Sequence, residues 1–105
     1  MANKICVIMT TCGDKKSAKK LSAILLRKNL VACVQIIRIK SRFVWKDKIR
    51  FEREFLLIIK TTNANRKKIK RIFDSHHSYE LPEFVCFDAD SSKKYKKWIK
   101  SVVVK

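Results

Sequence analysis

The stretch that most restricts what this chain can become is "LVACVQIIRIKSRFVWKDKIRFEREFLLIIKTT", residues 30 to 62. Its odd positions Val31, Cys33, Ile37, Ile39, Phe43 and Trp45 are apolar, broken by Gln35 and Ser41. After Lys46-Asp47-Lys48 the odd positions resume with Ile49, Phe51, Phe55, Leu57 and Ile59, broken by Arg53. Alternation of this kind marks β-strands, and the charged triplet at its centre marks a tight turn. The segment therefore predicts two long strands joined as a hairpin. Globular strands usually run about 5–6 residues, so these arms reach past any core so small a chain can build. Phe43, Trp45, Ile49 and Phe51 then stand in solvent unless a second chain covers them, which points to an oligomer. The single-chain alternative is a hairpin bent back over its own core. On this reading the odd positions share one face and the basic residues the other, so aromatic and basic side chains are segregated.

The flanking segments supply what packs on the hairpin's base. "KICVIMTTC", residues 4 to 12, is a short apolar run suited to a buried strand. Past Gly13, expected to supply a turn, the period changes: Ala18, Leu21 and Leu25 recur at helical spacing. Asp14 is placed to cap that helix and Asn29 to end it in the left-handed conformation. "NANRKKIKRIFDS" sets Ile69, Ile72 and Phe73 on one helical face, with Thr62 or Asn63 as cap. "FVCFD" after Pro82 is another strand. "SSKKYKKWIKSVVVK" places Tyr95, Trp98, Ile99 and Val102 on the inner face of a last helix begun by Asp90 or Ser91. The order β-α-β-β-α-β-α predicts an α+β, ferredoxin-like split β-α-β domain with an added C-terminal helix. A chain of 105 residues without repeat or linker is expected to form a single domain over residues 1–105.

Composition narrows the function. Lysine and arginine total 26 against 9 acids, a net charge of +17, and such a field attracts polyanions. The lysines are scattered through every segment, so nucleic-acid binding is expected to be non-specific at most. No apolar run reaches the ~20 residues needed to cross a bilayer, and the N-terminal apolar run is too short for a signal-peptide core. A cytoplasmic protein with no membrane partner is expected. Cys6, Cys12, Cys33 and Cys86 lack zinc-ligand spacing. No nucleophile–base pair, phosphate loop or H-E-x-x-H occurs, which argues against an enzyme.

The segment "SHHSYELPEF", residues 75 to 84, holds both histidines and the only proline. Here the motifs "TTCGDKKSAKKL", "LVACVQI", "VWKDKI", "LLIIKTT" and "HHSYELPE" occur in order, and with them the chain resembles the CutA divalent-cation-tolerance family from about Ile5 to Trp98. The resemblance implies a ferredoxin-like subunit, a homotrimer whose long hairpins pair between chains, and copper or other divalent-metal binding in some members. It also implies that Tyr79, Glu80, Pro82 and Glu83 line a cleft between subunits. The chain departs from the family pattern in having Gly13 where proline is common, Asp47 where glycine is common, and Ser78 between His77 and Tyr79 where proline is common. Metal-binding relatives carry a cysteine at a position that falls on Thr10, with Cys12 two residues on. His77 is the preferred ligand by this resemblance, with His76 and Cys12 as weaker ones, since thiolate and imidazole suit copper. The competing reading is that His76 merely ends a helix, that a carbonyl holds His77, and that the glutamates flank a stiff connector. A small-anion site in the cleft and a nucleic-acid-binding module are the alternatives to metal binding.

Overall fold

A computed structural model describes residues 3–104. The elements are β1 (Lys4–Cys12), α1 (Lys15–Arg27), β2 (Cys33–Trp45), β3 (Lys48–Thr61), a single 3-10 turn (Asn63–Asn65), α2 (Arg66–His76), β4 (Val85–Asp90) and α3 (Lys93–Val102). One antiparallel sheet forms in the order β2-β3-β1-β4. This is the ferredoxin-like layout with its extra C-terminal helix, as the sequence predicts.

Helices cover both faces of the sheet at its base. Even-numbered residues of β1 (Cys6, Ile8 and Cys12) meet Leu57 and Ile59 of β3 beneath α1 and α2, whose Leu21, Leu25, Ile69 and Phe73 close that layer. The alternate residues Ile5 and Val7 pack against Ile99 and Val103 at α3. Burying apolar side chains on both faces is what fixes the register, since a one-residue slip would exchange the two layers.

Local signals behave as their chemistry requires. The Asp14 carboxylate accepts a 2.7 Å bond from the Ser17 N–H and so caps α1. That bond holds the carboxyl below its usual range. Asn29 takes φ 55° directly after α1, and Leu30 N–H donates back to the Leu25 carbonyl. Three expectations need correction. The cap of α3 is Ser92, whose hydroxyl accepts from the Tyr95 N–H, not Asp90 or Ser91. Neither Thr62 nor Asn63 caps α2: the 3-10 turn intervenes and Asn65 leads in without a side-chain bond. Trp98 is 44% exposed and stacks at 5.6 Å on Tyr95, so the inner face of α3 is carried by Ile99 and Tyr95.

The hairpin is long and extended, and the molecule measures 45 × 27 × 21 Å. The folded-back alternative is not what forms: Val44, Ile49 and Phe51 are 71, 75 and 63% exposed. The turn is Lys46-Asp47, both with positive φ (49° and 62°), the pattern of a type I′ hairpin. That geometry overturns the expected segregation. A two-residue turn pairs Trp45 with Lys48, so each odd residue of β2 faces an even residue of β3. Arg42 therefore lies opposite Phe51, and Phe43 opposite Arg50. Cross-strand partners share a face, and the Arg42 guanidinium sits 4.2 Å over the Phe51 ring. Aromatic and basic side chains are mixed on both faces.

Candidate functional site

The connector between α2 and β4 folds back across the end of β1. His77 follows the last residue of α2 and leaves the helical path with ψ 140°, its N–H still donating to the Phe73 carbonyl at 3.0 Å. The imidazole is half-buried between the rings of Phe73 (5.6 Å) and Tyr79 (5.4 Å). Its Nδ1 accepts from the Tyr79 N–H at 3.0 Å. A ring nitrogen that accepts carries no proton, so in the neutral ring the proton is on Nε2. Nε2 lies 3.1 Å from the Thr10 hydroxyl and 4.0 Å from Cys12 Sγ. Burial pushes the imidazole below its ordinary value, opposed by the Thr11 backbone carbonyl. Burial thus favours the neutral ring, and the backbone partner that orients it is the Tyr79 N–H, not a carbonyl as in the competing reading.

Tyr79 crosses over Gly13. A Cβ on that glycine would meet the phenol oxygen at 3.1 Å and Cε1 at 3.3 Å. The chain bends at Gly13 as expected, but without positive φ, so what requires glycine there is space for the Tyr79 ring. The hydroxyl passes on to donate a 2.6 Å bond to Glu54 Oε2, a carboxylate whose residue is only 6% exposed. Burial, then the bond to Glu54, holds the phenol well above the usual tyrosine range. Burial and the charge of Glu54 also raise the Glu83 carboxyl. His77, Tyr79 and Glu54 form one linked group at the junction of β1, β3 and the connector, while Glu83 is exposed beside it.

Among the sequence-derived candidates, Cys12 and His77 are brought together. His76 is not: it is exposed at the end of α2, its Nδ1 2.7 Å from Ser75 Oγ. Glu80 is exposed and Pro82 half-buried in the connector. The residue missed was Glu54; Thr10 is named from the resemblance only as the place of a relative's cysteine, and its hydroxyl is what meets His77. The signal for Glu54 was its place three residues past Phe51 on a strand otherwise becoming apolar. Its burial requires the contact with Tyr79, which no local pattern announces.

The fit of a resident metal can be judged from these groups. Among the described residues no cluster of three His, Cys, Asp or Glu could hold a metal ion. Burial, with the charges of Asp14 and Glu54, pushes the Cys12 thiol up to about 11. Metal ligation requires a thiolate and a free nitrogen on a neutral imidazole; here the thiol keeps its proton and the unprotonated nitrogen of His77 already accepts from the Tyr79 N–H. A tightly held divalent cation does not fit one subunit in this state.

The fold and this junction define a class: a ferredoxin-like subunit with a projecting hairpin and a tyrosine-locked connector. The sequence profile of the CutA1 divalent ion tolerance protein matches residues 6–102, and the chain belongs to that family. It is 34% identical over 97 residues to a probable divalent-cation tolerance protein cutA homolog of Encephalitozoon cuniculi, covering 91% of this chain and 85% of that protein. Protein CutA homolog of Danio rerio is 30% identical over 99 residues, or 92% of this chain and 66% of the relative. The chain spans only 53% of the chloroplastic protein CutA of Arabidopsis thaliana. The structure of CutA from Synechococcus elongatus superposes with a TM-score of 0.93 at 27% identity, covering 99% of this chain and 95% of that one. Divalent ion tolerance protein CutA1 of Ehrlichia chaffeensis gives 0.90 at 30% identity, covering 100% and 99%.

Proposed function

We propose that the chain works in the cytoplasm as a non-enzymatic homotrimer whose cargo is copper or another divalent cation. The observation that carries the assembly is the hairpin: its apolar tip residues stand in solvent in a single subunit, and large exposed apolar surface marks a protein contact. Support for copper is the meeting of a thiol and an imidazole 4.0 Å apart, a soft donor pair. Because the Cys12 thiol holds its proton, a cation there would be exchangeable and compete with protons. Titration of the purified assembly with copper alone, followed by calorimetry, tests this. Affinity should rise with pH and fall steeply below about pH 6, where histidine takes up protons. His77→Ala should weaken binding more than His76→Ala. Unchanged binding in the double variant would place the copper elsewhere and sink this reading.

A second reading, non-specific nucleic-acid binding, gains one observation: Arg42 stacked over Phe51 combines charge and an aromatic face, as single-strand binders do. The face that carries the pair is also the apolar tip that assembly would cover. Binding to a short single strand should therefore be weak and lost by ~0.2 M salt, as diffuse electrostatics requires.

A further inference from the structure

Cys6 and Cys86 play no part in the site above, yet they are in contact. Their sulfurs lie 3.1 Å apart, and both are free thiols. The β1–β4 register explains the meeting. Cys6 pairs with Asp88 and Ile8 pairs with Cys86, so the two cysteines sit on a diagonal of adjacent antiparallel strands, on the face covered by α1 and α2. We propose that Cys6 and Cys86 form a reversible intramolecular disulfide when the protein meets a low-molecular-weight disulfide such as oxidised glutathione.

The geometry demands little movement. A disulfide bond is about 2.05 Å long, so the sulfurs must close by roughly 1 Å. Side-chain rotation with a small approach of β4 to β1 supplies a shift of that size. The two residues also differ in the way a two-step exchange needs. Cys86 is half-buried on the edge strand β4, where a small disulfide can reach it, whereas Cys6 is fully buried. Burial, and the neighbouring Cys86, push the Cys6 thiol up to about 12, which keeps it protonated until a partner sulfur is presented.

The exchange balances as follows. Cys86, as thiolate, attacks one sulfur of oxidised glutathione. The S–S bond of that molecule breaks and one glutathione leaves as thiolate, taking up a proton. The Cys6 sulfur then attacks the Cys86 sulfur. The mixed disulfide breaks, the second glutathione leaves, and the proton from Cys6 goes to it. Two protein thiols lose two electrons in all, and one small disulfide becomes two thiols. Proximity makes the second step effectively unimolecular, which offsets the poor acidity of Cys6.

The other thiols do not compete. Cys12 contacts His77, and Cys33 is on β2, across the sheet from β4 beyond β3 and β1. The bond should also be easy to reduce. Diagonal neighbours on antiparallel strands have Cα atoms typically about 7–8 Å apart, at or beyond the ~6.8 Å limit for an unstrained disulfide. A strained bond is a labile one.

To test this, the reduced full-length protein is equilibrated with graded ratios of oxidised to reduced glutathione, alkylated under denaturing conditions, and weighed and mapped by mass spectrometry. The expected product has lost two hydrogens, retains no glutathione, links the Cys6 and Cys86 peptides, and leaves Cys12 and Cys33 alkylated. Excess reduced glutathione should restore all the thiols. Cys86→Ser should abolish the product, while Cys33→Ser should form it as the parent does. Glutathione left attached to Cys86 with Cys6 alkylated would overturn the proposal. So would a link through Cys12 or Cys33, or no loss of thiols at any ratio. Should Cys86→Ser fail to fold, the peptide map of the parent decides alone.

Discussion

The base and the tip of the β2–β3 hairpin are continuous strands with opposite circumstances. At the base Leu57 and Ile59 are wholly buried, roofed by α1 and α2, while Ile58 meets α3 on the other face. Toward the tip, past the end of β1 opposite Phe55, β3 has only β2 beside it and no helix over either face. Val44 and Ile49, a cross-strand pair, are largely in solvent there. The same alternating pattern thus does two jobs. The base stabilises the subunit, and the tip leaves apolar surface in solvent that the proposed trimer would bury.

Substitutions at the two ends should separate these jobs. Leu57→Ala removes a buried side chain beneath two helices and should cost the fold about 3 kcal/mol, read as a lowered denaturant midpoint. At the tip, Trp45→Asp places a charge where the proposed neighbour packs an aromatic. It should break the assembly and leave the subunit's circular dichroism intact, with sedimentation shifting from three chains to one. A unit that stays trimeric after Trp45→Asp, or an unmodified chain that is monomeric at micromolar concentration, would erase the distinction between base and tip.

Between base and tip stands Glu54, buried where the helices stop. Its partner is the Tyr79 hydroxyl, so Tyr79→Phe leaves a buried carboxylate without that bond and should cost about 1–3 kcal/mol. The pH dependence gives an independent readout. The folded phenol holds its proton beyond the range in which an unfolded tyrosine, near pKa ~10, releases it. The unfolded state therefore loses the proton first, and stability falls as pH rises above that value. Tyr79→Phe should abolish this part of the alkaline loss. His77 works in the other direction: its pKa is depressed, so its contribution is present above the ordinary histidine value and is lost as pH falls below it.

Much of the fold could be read from local chemistry. The Asp14 cap, the Asn29 stop and the apolar faces of the first two helices each rest on residues close in sequence, where spacing is informative. The hairpin faces were misread for a reason of parity. Two residues in the turn force odd positions of one strand opposite even positions of the next, so Arg42 and Phe51 share a face although their numbers alternate. The site was less legible because its partners are remote. The Tyr79–Glu54 bond joins residues 25 apart and the Thr10–His77 contact joins residues 67 apart. Trp98 was placed inward by helical spacing alone, but Ile99 and Tyr95 already fill the space beneath α3.

The smallest expected effect lies at the extreme tip, where the subunit's own packing has least say. Lys46 and Asp47 both hold positive φ, a conformation costing an L-residue roughly 1–2 kcal/mol. Aspartate bears this better than most side chains because it bonds locally to the backbone. Glycine bears it without steric cost, though it gives up more freedom on folding. The two effects oppose each other, so Asp47→Gly should stabilise the hairpin by no more than about 1 kcal/mol. Assembly and the Trp45–Lys48 register should be unchanged. The gain is best read by hydrogen exchange at Ile49 and Phe51, next to the turn, because a local change at an uncovered tip alters local opening before global unfolding. Protection that falls instead would mean that the Asp47 carboxylate holds the turn by a bond worth more than the strain it bears.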